Sequence, residues 1–184
     1  MIEETILIKK EEGKTYDPLP EQIYQVEVLD ITLTEGTKYK STEKIKQLSF
    51  QFTLLEGEAK GERLRGRSVW KNFVQTSLYV GKNGKNSLYQ IIEACIGREL
   101  SREEEMKGID NNFLNALIGE QLKVFTEHKP SKDGSKIFDN IIKFMPAPDK
   151  LPALTEEEKE KARVKNTKGE KVQGGEETAP SPDF

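Results

Sequence analysis

The sequence predicts a mainly β domain with a helical insertion, and three observations carry that prediction. Apolar and polar residues alternate in five separate stretches, the signature of strands with one buried face. Between the third and fourth stretches the apolar spacing switches to the period of a helix. No strand–helix–strand alternation of the kind that builds a parallel sheet occurs, so the strands should pair antiparallel. A chain of 184 residues, 34% of them hydrophobic, can bury the core of one domain and still carry appendages, but not two full domains.

The first strand begins with the alternation of Tyr24, Val26 and Val28 and resumes with Ile31 and Leu33. The phase slips near Leu29–Asp30, where a bulge is expected. Gly36 opens a polar loop. Leu48, Phe50, Phe52 and Leu54 alternate cleanly as the second strand. Residues 56–61 form a turn, and Arg63 to Trp70 reads as a third strand hairpinned to the second. Residues 79–86 are rich in Gly and Asn and read as a loop. From Ser87 to Ile96, Leu88, Ile91, Ile92, Cys95 and Ile96 share one helical face, and Gly97 stops the helix. Ser101 and Glu104 have the spacing of a capping box. Phe113, Leu114, Leu117 and Ile118 make a short amphipathic helix ended by Gly119. Leu122, Val124 and Thr126 begin the fourth strand, residues 130–134 turn, and Ile137 to Phe144 is the fifth. The order β-β-β-α-β-β is that of the OB-fold, a five-stranded, partly open antiparallel barrel.

The domain should span residues 20–148. Residues 1–19 read as an arm ending at Pro18-Leu19-Pro20. Five of the eight prolines fall at Pro146 or later, and from Thr155 onward the only large apolar residues are Val164, Val172 and Phe184. Such a segment cannot bury enough surface to offset its ordering entropy, so residues 149–184 are expected to be a disordered acidic tail. A short charged helix over 155–165 is compatible with Thr155 and Glu158 at capping-box spacing. Ile6-Leu7-Ile8 is too short and wrongly flanked for a secretory signal, and no stretch approaches a membrane span, so a cytoplasmic location is expected.

Catalytic constellations are scarce. One Cys forbids an internal disulfide, and one Cys with one His forbids a His/Cys metal centre within the chain. Gly81-Lys82-Asn83-Gly84-Lys85 lacks the spacing of a phosphate loop and reads as a turn. Glu103, Glu104 and Glu105 are consecutive, so on a helix they point in different directions and read as a solvated helix start. Asp133 and Asp139 suggest no metal pair. His128 has no spaced partner and reads as structural. No cofactor or metal is expected, and binding is favoured over catalysis.

Charge is more informative by segment than in sum. The formal charge of -3 argues against a nucleic-acid partner. Yet residues 36–85 hold 11 basic residues against 4 acidic ones. These are Lys38, Lys40, Lys44, Lys46, Lys60, Arg63, Arg65, Arg67, Lys71, Lys82 and Lys85. In an OB-fold this region is the ligand face, formed by strands 2–3 and the strand 1–2 loop. Tyr39, Trp70, Phe73 and Tyr79 are interleaved with the cations. Single-strand binding needs cations for phosphates and flat side chains for stacked bases. Arg63, Arg65 and Arg67 alternate and should share one solvent face of strand 3, while the strand 4–5 loop adds Lys129, Lys132 and Lys136. The bland reading is that the three arginines guard a soluble edge and that Trp70 and Phe73 are core.

The chain ends Glu176-Glu177-Thr-Ala-Pro180-Ser-Pro182-Asp183-Phe184. This end resembles the tip of bacterial-type single-stranded-DNA-binding proteins, in which acidic residues and a terminal Phe engage replication and repair partners. The match is partial, since Asp183 rather than Pro precedes Phe184 and the acidic run is thin. The core is similar to a phage-type family of OB-fold single-strand-binding proteins in Gln22-Ile-Tyr-Gln-Val-Glu-Val28, Gln47 to Gly57, Leu117 to Val124, Asp133-Gly134 and Asn140 to Pro146. These stretches cover most of residues 20–148, and they imply no residue-level ligand list. The resemblance implies a protein that coats single-stranded DNA with little sequence preference during phage replication or recombination and recruits proteins through Asp183 and Phe184. RNA is a variant of the same reading, no membrane partner is expected, and a homo-oligomer is compatible. The rivals are an OB-like protein-interaction or scaffolding module without DNA affinity, and a metal-dependent nuclease, for which no spaced carboxylate set is found.

Overall fold

The computed structural model describes residues 17–169. Its elements in chain order are β1 (Ile23–Thr37), β2 (Lys44–Leu54), β3 (Glu58–Ala59), β4 (Glu62–Arg63), β5 (Ser68–Gln75), β6 (Val80–Gly81), β7 (Gly84–Lys85), α1 (Ser87–Ile96), α2 (Arg102–Lys107), α3 (Asn111–Ala116), β8 (Gln121–Pro130), β9 (Ile137–Pro146) and α4 (Glu156–Gly169). Five long strands form one antiparallel sheet in the order β5-β2-β1-β8-β9. The mainly β class with a helical insertion between the third and fourth long strands is as the sequence predicts.

β1 is the central strand. It pairs with β8 over Ile23–Glu27 and with β2 over Val26–Thr37. The register to β2 slips between Val28 and Asp30, so the bulge expected near Leu29 is present. It lets Tyr24, Val26 and Val28 face inward below it while Ile31 packs against the same core above it. Leu48, Phe50, Phe52 and Leu54 supply the β2 wall of that core, and Leu122, Val124, Ile141 and Phe144 supply the β8–β9 wall. Phe52 meets Phe50 and Phe144 at ring-centroid distances of 6.0 Å each, so the two walls touch across the interior. α1 plugs one end with the predicted face, Leu88, Ile91, Ile92 and Cys95. Asn86 caps its start by accepting from the Tyr89 amide, and Gly97 ends it at φ 71°, where a side chain would be strained.

The edge strands β5 and β9 approach each other, yet no backbone ladder joins them among the described residues. Side chains bridge the seam. The Lys71 ammonium donates to the Ile141 carbonyl at 3.0 Å, and Arg67 pairs with Asp139 at 3.3 Å.

Two boundaries differ from expectation. The third long strand begins at Ser68, not Arg63, because residues 64–67 form a turn back onto β2, with the Leu54 amide donating to the Arg67 carbonyl. Residues 149–163 are not a disordered tail: they lie across the outer face of the sheet. Gln25, Glu27 and Gln121 point outward there and are nevertheless buried. Gln25 donates to the Asp149 carbonyl, Gln121 exchanges two hydrogen bonds with Leu151, and Glu27 accepts from the Leu154 amide and pairs with Lys159. Arg65 completes the clamp. It donates to both carboxylate oxygens of Glu158 and to the carbonyls of Leu55, Pro152 and Ala153. Thr155 and Glu158 form the predicted capping box of α4. Hydrophobicity counting misses this segment because polar groups hold it, with Leu154 and Ala162 its buried apolar contacts. The arm is likewise pinned at its end, where Leu19 is fully buried, its amide donates to Asp139, and Arg67 donates to the Asp17 carbonyl. Residues 1–16 and 170–184, including Asp183 and Phe184, lie outside the described residues.

Arg65→Ala should remove several charged hydrogen bonds, each worth about 1.5–3 kcal/mol. We expect a lower urea midpoint and faster proteolysis within residues 149–163. The Glu158 carboxyl is held down to about 2, chiefly by Arg65. Its contribution is therefore complete above the ordinary carboxyl value of 4.5 and is lost as pH falls towards 2. Proteolytic release of the segment should rise through that window in the native protein, and Glu158→Gln should show higher release at neutral pH and a smaller rise on acidification.

Candidate nucleic-acid interface

The pairing registers of β1, β2 and β5 place three outward rows side by side: Asp30–Gln51–Trp70, Thr32–Ser49–Asn72 and Thr34–Gln47–Gln75. In the middle row Ser49 reaches Asn72 by a side-chain hydrogen bond of 2.5 Å. Trp70 stands at the end of the first row, 38% exposed. Gln47 and Gln51 are buried within these rows, so the groups that reach the surface are Thr32, Thr34, Asn72, Gln75, the Asp30 carboxylate and one large aromatic ring, Trp70. A second register slip puts both Asn72 and Phe73 opposite Ser49, and Phe73 sits at φ 59°, a left-handed conformation that bulky side chains rarely adopt. A strained bulge beside an exposed ring is a device by which sheets re-aim side chains at binding sites.

Two hairpin ends flank this face. At the β1–β2 end Tyr39 is 45% exposed, with the Lys40 ammonium 5.2 Å from its ring centroid. Lys38 pairs with Glu43 there, and Lys44 and Lys46 are exposed where β2 begins. At the β8–β9 end Lys129, Lys132 and Lys136 are exposed around a turn that Asp133 holds through Ser131 and Ser135, bonds that keep its carboxyl far below the usual range. Tyr79 and Lys82 are exposed at the β6–β7 turn, where the Tyr79 ring lies so close over Gly81 that a Cβ there would meet it at 2.8 Å.

Five of the sequence-predicted cations do not join this face. Arg63, Arg65 and Arg67 do not alternate on one strand. Arg63 is exposed on the two-residue β4, Arg65 clamps the C-terminal segment, and Arg67 joins the arm to Asp139. Lys71 bridges the seam. Lys85 is committed to Glu93 at 2.8 Å and lies 5.0 Å from the Tyr89 ring. Phe73 is only half-buried, so it is neither core nor fully presented. Sequence reasoning missed Phe138, which is 38% exposed and opposite Lys129. The signal was available, since alternation on β9 puts Phe138 on the face opposite Asp139.

His128 accepts a structural role, its Nε2 lying 2.7 Å from the Leu19 carbonyl. A cleft of about 500 Å³ lies at the base between α1, α3 and residues 146–150. The thiol lining it, Cys95, is pushed up to about 12 by burial, so it is protonated and unreactive at neutral pH. Among the described residues no cluster of three His, Cys, Asp or Glu could hold a metal, and no helix is long and apolar enough to cross a membrane.

Trp70 is the only tryptophan, so its fluorescence reports this face directly. Its emission should be readily quenched by iodide; an iodide-resistant, blue-shifted emission would contradict the outward placement. In comparison with known proteins, no family model matches the chain and no curated protein matches its sequence.

Proposed function

We propose that the chain is an OB-fold protein that binds single-stranded nucleic acid, DNA in the first instance, with little sequence preference. The observation that carries this reading is Trp70, exposed on a polar face between two lysine-bearing hairpin ends. The order β5-β2-β1-β8-β9, with helices between the third and fourth long strands, supports the OB assignment, and the face of its second and third strands is where that fold takes oligonucleotides. Trp70 and Tyr39 are the stacking groups, with Tyr79 and Phe138 at the margins. Lys40, Lys44, Lys46, Lys82, Lys129 and Lys136 follow the phosphates. Asn72 and Gln75, the exposed amides between them, suit weak, sequence-tolerant contacts to bases.

On this reading the protein coats single strands in replication, recombination or repair, in a phage setting by the resemblance given above. Recruitment of partner proteins through Asp183 and Phe184 forms the second half of the proposal.

Titration with oligo-dT should quench Trp70 fluorescence. Affinity should fall with salt, with a slope of about −0.7 for each phosphate neutralised. Trp70→Ala should weaken binding by about 1–3 kcal/mol, one stacked base. Absence of binding at low salt, or an unchanged affinity in Trp70→Ala, would sink the reading. Oligo-U in place of oligo-dT separates RNA from DNA.

A further inference from the structure

The outer face of the β8–β9 hairpin carries a further run of cations and aromatics, which starts at Lys129 and Phe138 on the margin of the Trp70 site and continues beyond it. On β8 the outward positions are Lys123, Phe125, Glu127 and Lys129, because Leu122, Val124 and Thr126 are the buried alternates. The register sets Lys143 opposite Phe125, Asn140 opposite Glu127 and Phe138 opposite Lys129. Each aromatic therefore has a lysine directly across the ladder. Ile142 is the extra residue of a β9 bulge and is 44% exposed beside Lys143, and Ile23 of β1 is 54% exposed opposite Phe125.

This face joins the Trp70 face through the seam. The Lys71 bond to the Ile141 carbonyl holds β5 against β9. Trp70 on β5 and Asn140 on β9 are the outward neighbours of those two bridging residues, so the two faces meet there. Around the other side of the barrel the faces are kept apart, because residues 149–163 cover Gln25, Glu27 and Gln121. The exposed side of that segment bears Glu156, Glu157 and Glu160, paired within it to Lys159, Lys161 and Arg163, so it adds no net positive field for a polyanion.

We propose that a single nucleic-acid strand leaving Trp70 crosses the β5–β9 seam and continues over the outer face of the β8–β9 hairpin. Phe138 and Phe125 offer stacking surface there, and Lys129, Lys143 and Lys123 take phosphates. From Lys129 to Lys123 the track is six residues of strand, about 20 Å at 3.4 Å each. Glu127 on the track and Glu21 beside it, whose carboxylate accepts from the His128 amide, work against binding. The proposal rests on the single-strand reading above and extends it from one face to a longer path.

The test compares a short oligo-dT of about 6 nucleotides, near the low end of the roughly 4–16-nucleotide site of one such domain, with a long one of about 30, beyond its upper end. Lys123→Glu combined with Lys143→Glu should leave short-oligomer affinity within about twofold. It should weaken the long oligomer at least about tenfold and lower its salt slope by about 0.7 per lysine lost. Glu127→Gln should tighten the long oligomer only. Far-UV circular dichroism checks that each variant is folded. Unchanged long-oligomer affinity in the double variant, or equal losses on both lengths, would overturn the second track while leaving the Trp70 reading standing. A native protein that binds neither oligomer overturns both.

Discussion

One strand has to serve two neighbours that diverge. β1 pairs with β8 over Ile23–Glu27 and with β2 over Val26–Thr37, and the bulge between Val28 and Asp30 bends the strand just past the end of the β8 ladder. Without that extra residue the inward set would change face halfway along, and either Tyr24, Val26 and Val28 or Ile31 would leave the core. The meeting of Phe52 with Phe144 across the interior depends on this bend, since it brings the β2 wall round towards the β8–β9 wall. So does the approach of β5 to β9, where Lys71 and Arg67 substitute for a ladder.

Most of this was legible in the sequence because alternation is a local property. The β1 bulge, the β2 wall, the helix stopped by Gly97 and both capping boxes follow from residue spacing alone. The destinations of long charged side chains do not. Arg63-Leu-Arg65-Gly-Arg67 alternates as a strand would, but Gly66 adopts φ 85° in a turn, and each guanidinium then finds a different environment. What Arg65 binds lies about ninety positions away in sequence, and no local pattern encodes that meeting. The C-terminal segment escaped notice for the same reason. Its attachment is made of carbonyls, amides and paired charges, which hydropathy scores as features of a solvated chain.

The candidate site shows the corresponding split. Exposed aromatics at strand and hairpin positions, Tyr39, Trp70 and Tyr79, stand where the pattern places them. Among the cations, those on hairpin ends remain at the surface, while those near β5 are drawn into bridging the β5–β9 seam and holding the chain ends. A basic stretch in a sequence thus mixes two populations. Geometry separates them by whether an acceptor lies within reach on another element, as the Ile141 carbonyl does for Lys71 and Glu93 does for Lys85. The local excess of positive charge over residues 36–85 is correspondingly weaker as a ligand field than its count implies.

Arg65 and Arg67 are two residues apart, and they hold opposite ends of the described chain: one grips residues 152–158, the other the Asp17 carbonyl. The incoming and outgoing segments are therefore moored to a single tight turn. Natural domains whose ends lie close together tolerate rewiring of their connectivity. A short linker between the two moored segments, with a new opening at the exposed Lys82–Asn83 turn, would give a circular permutant that keeps every ladder of the sheet.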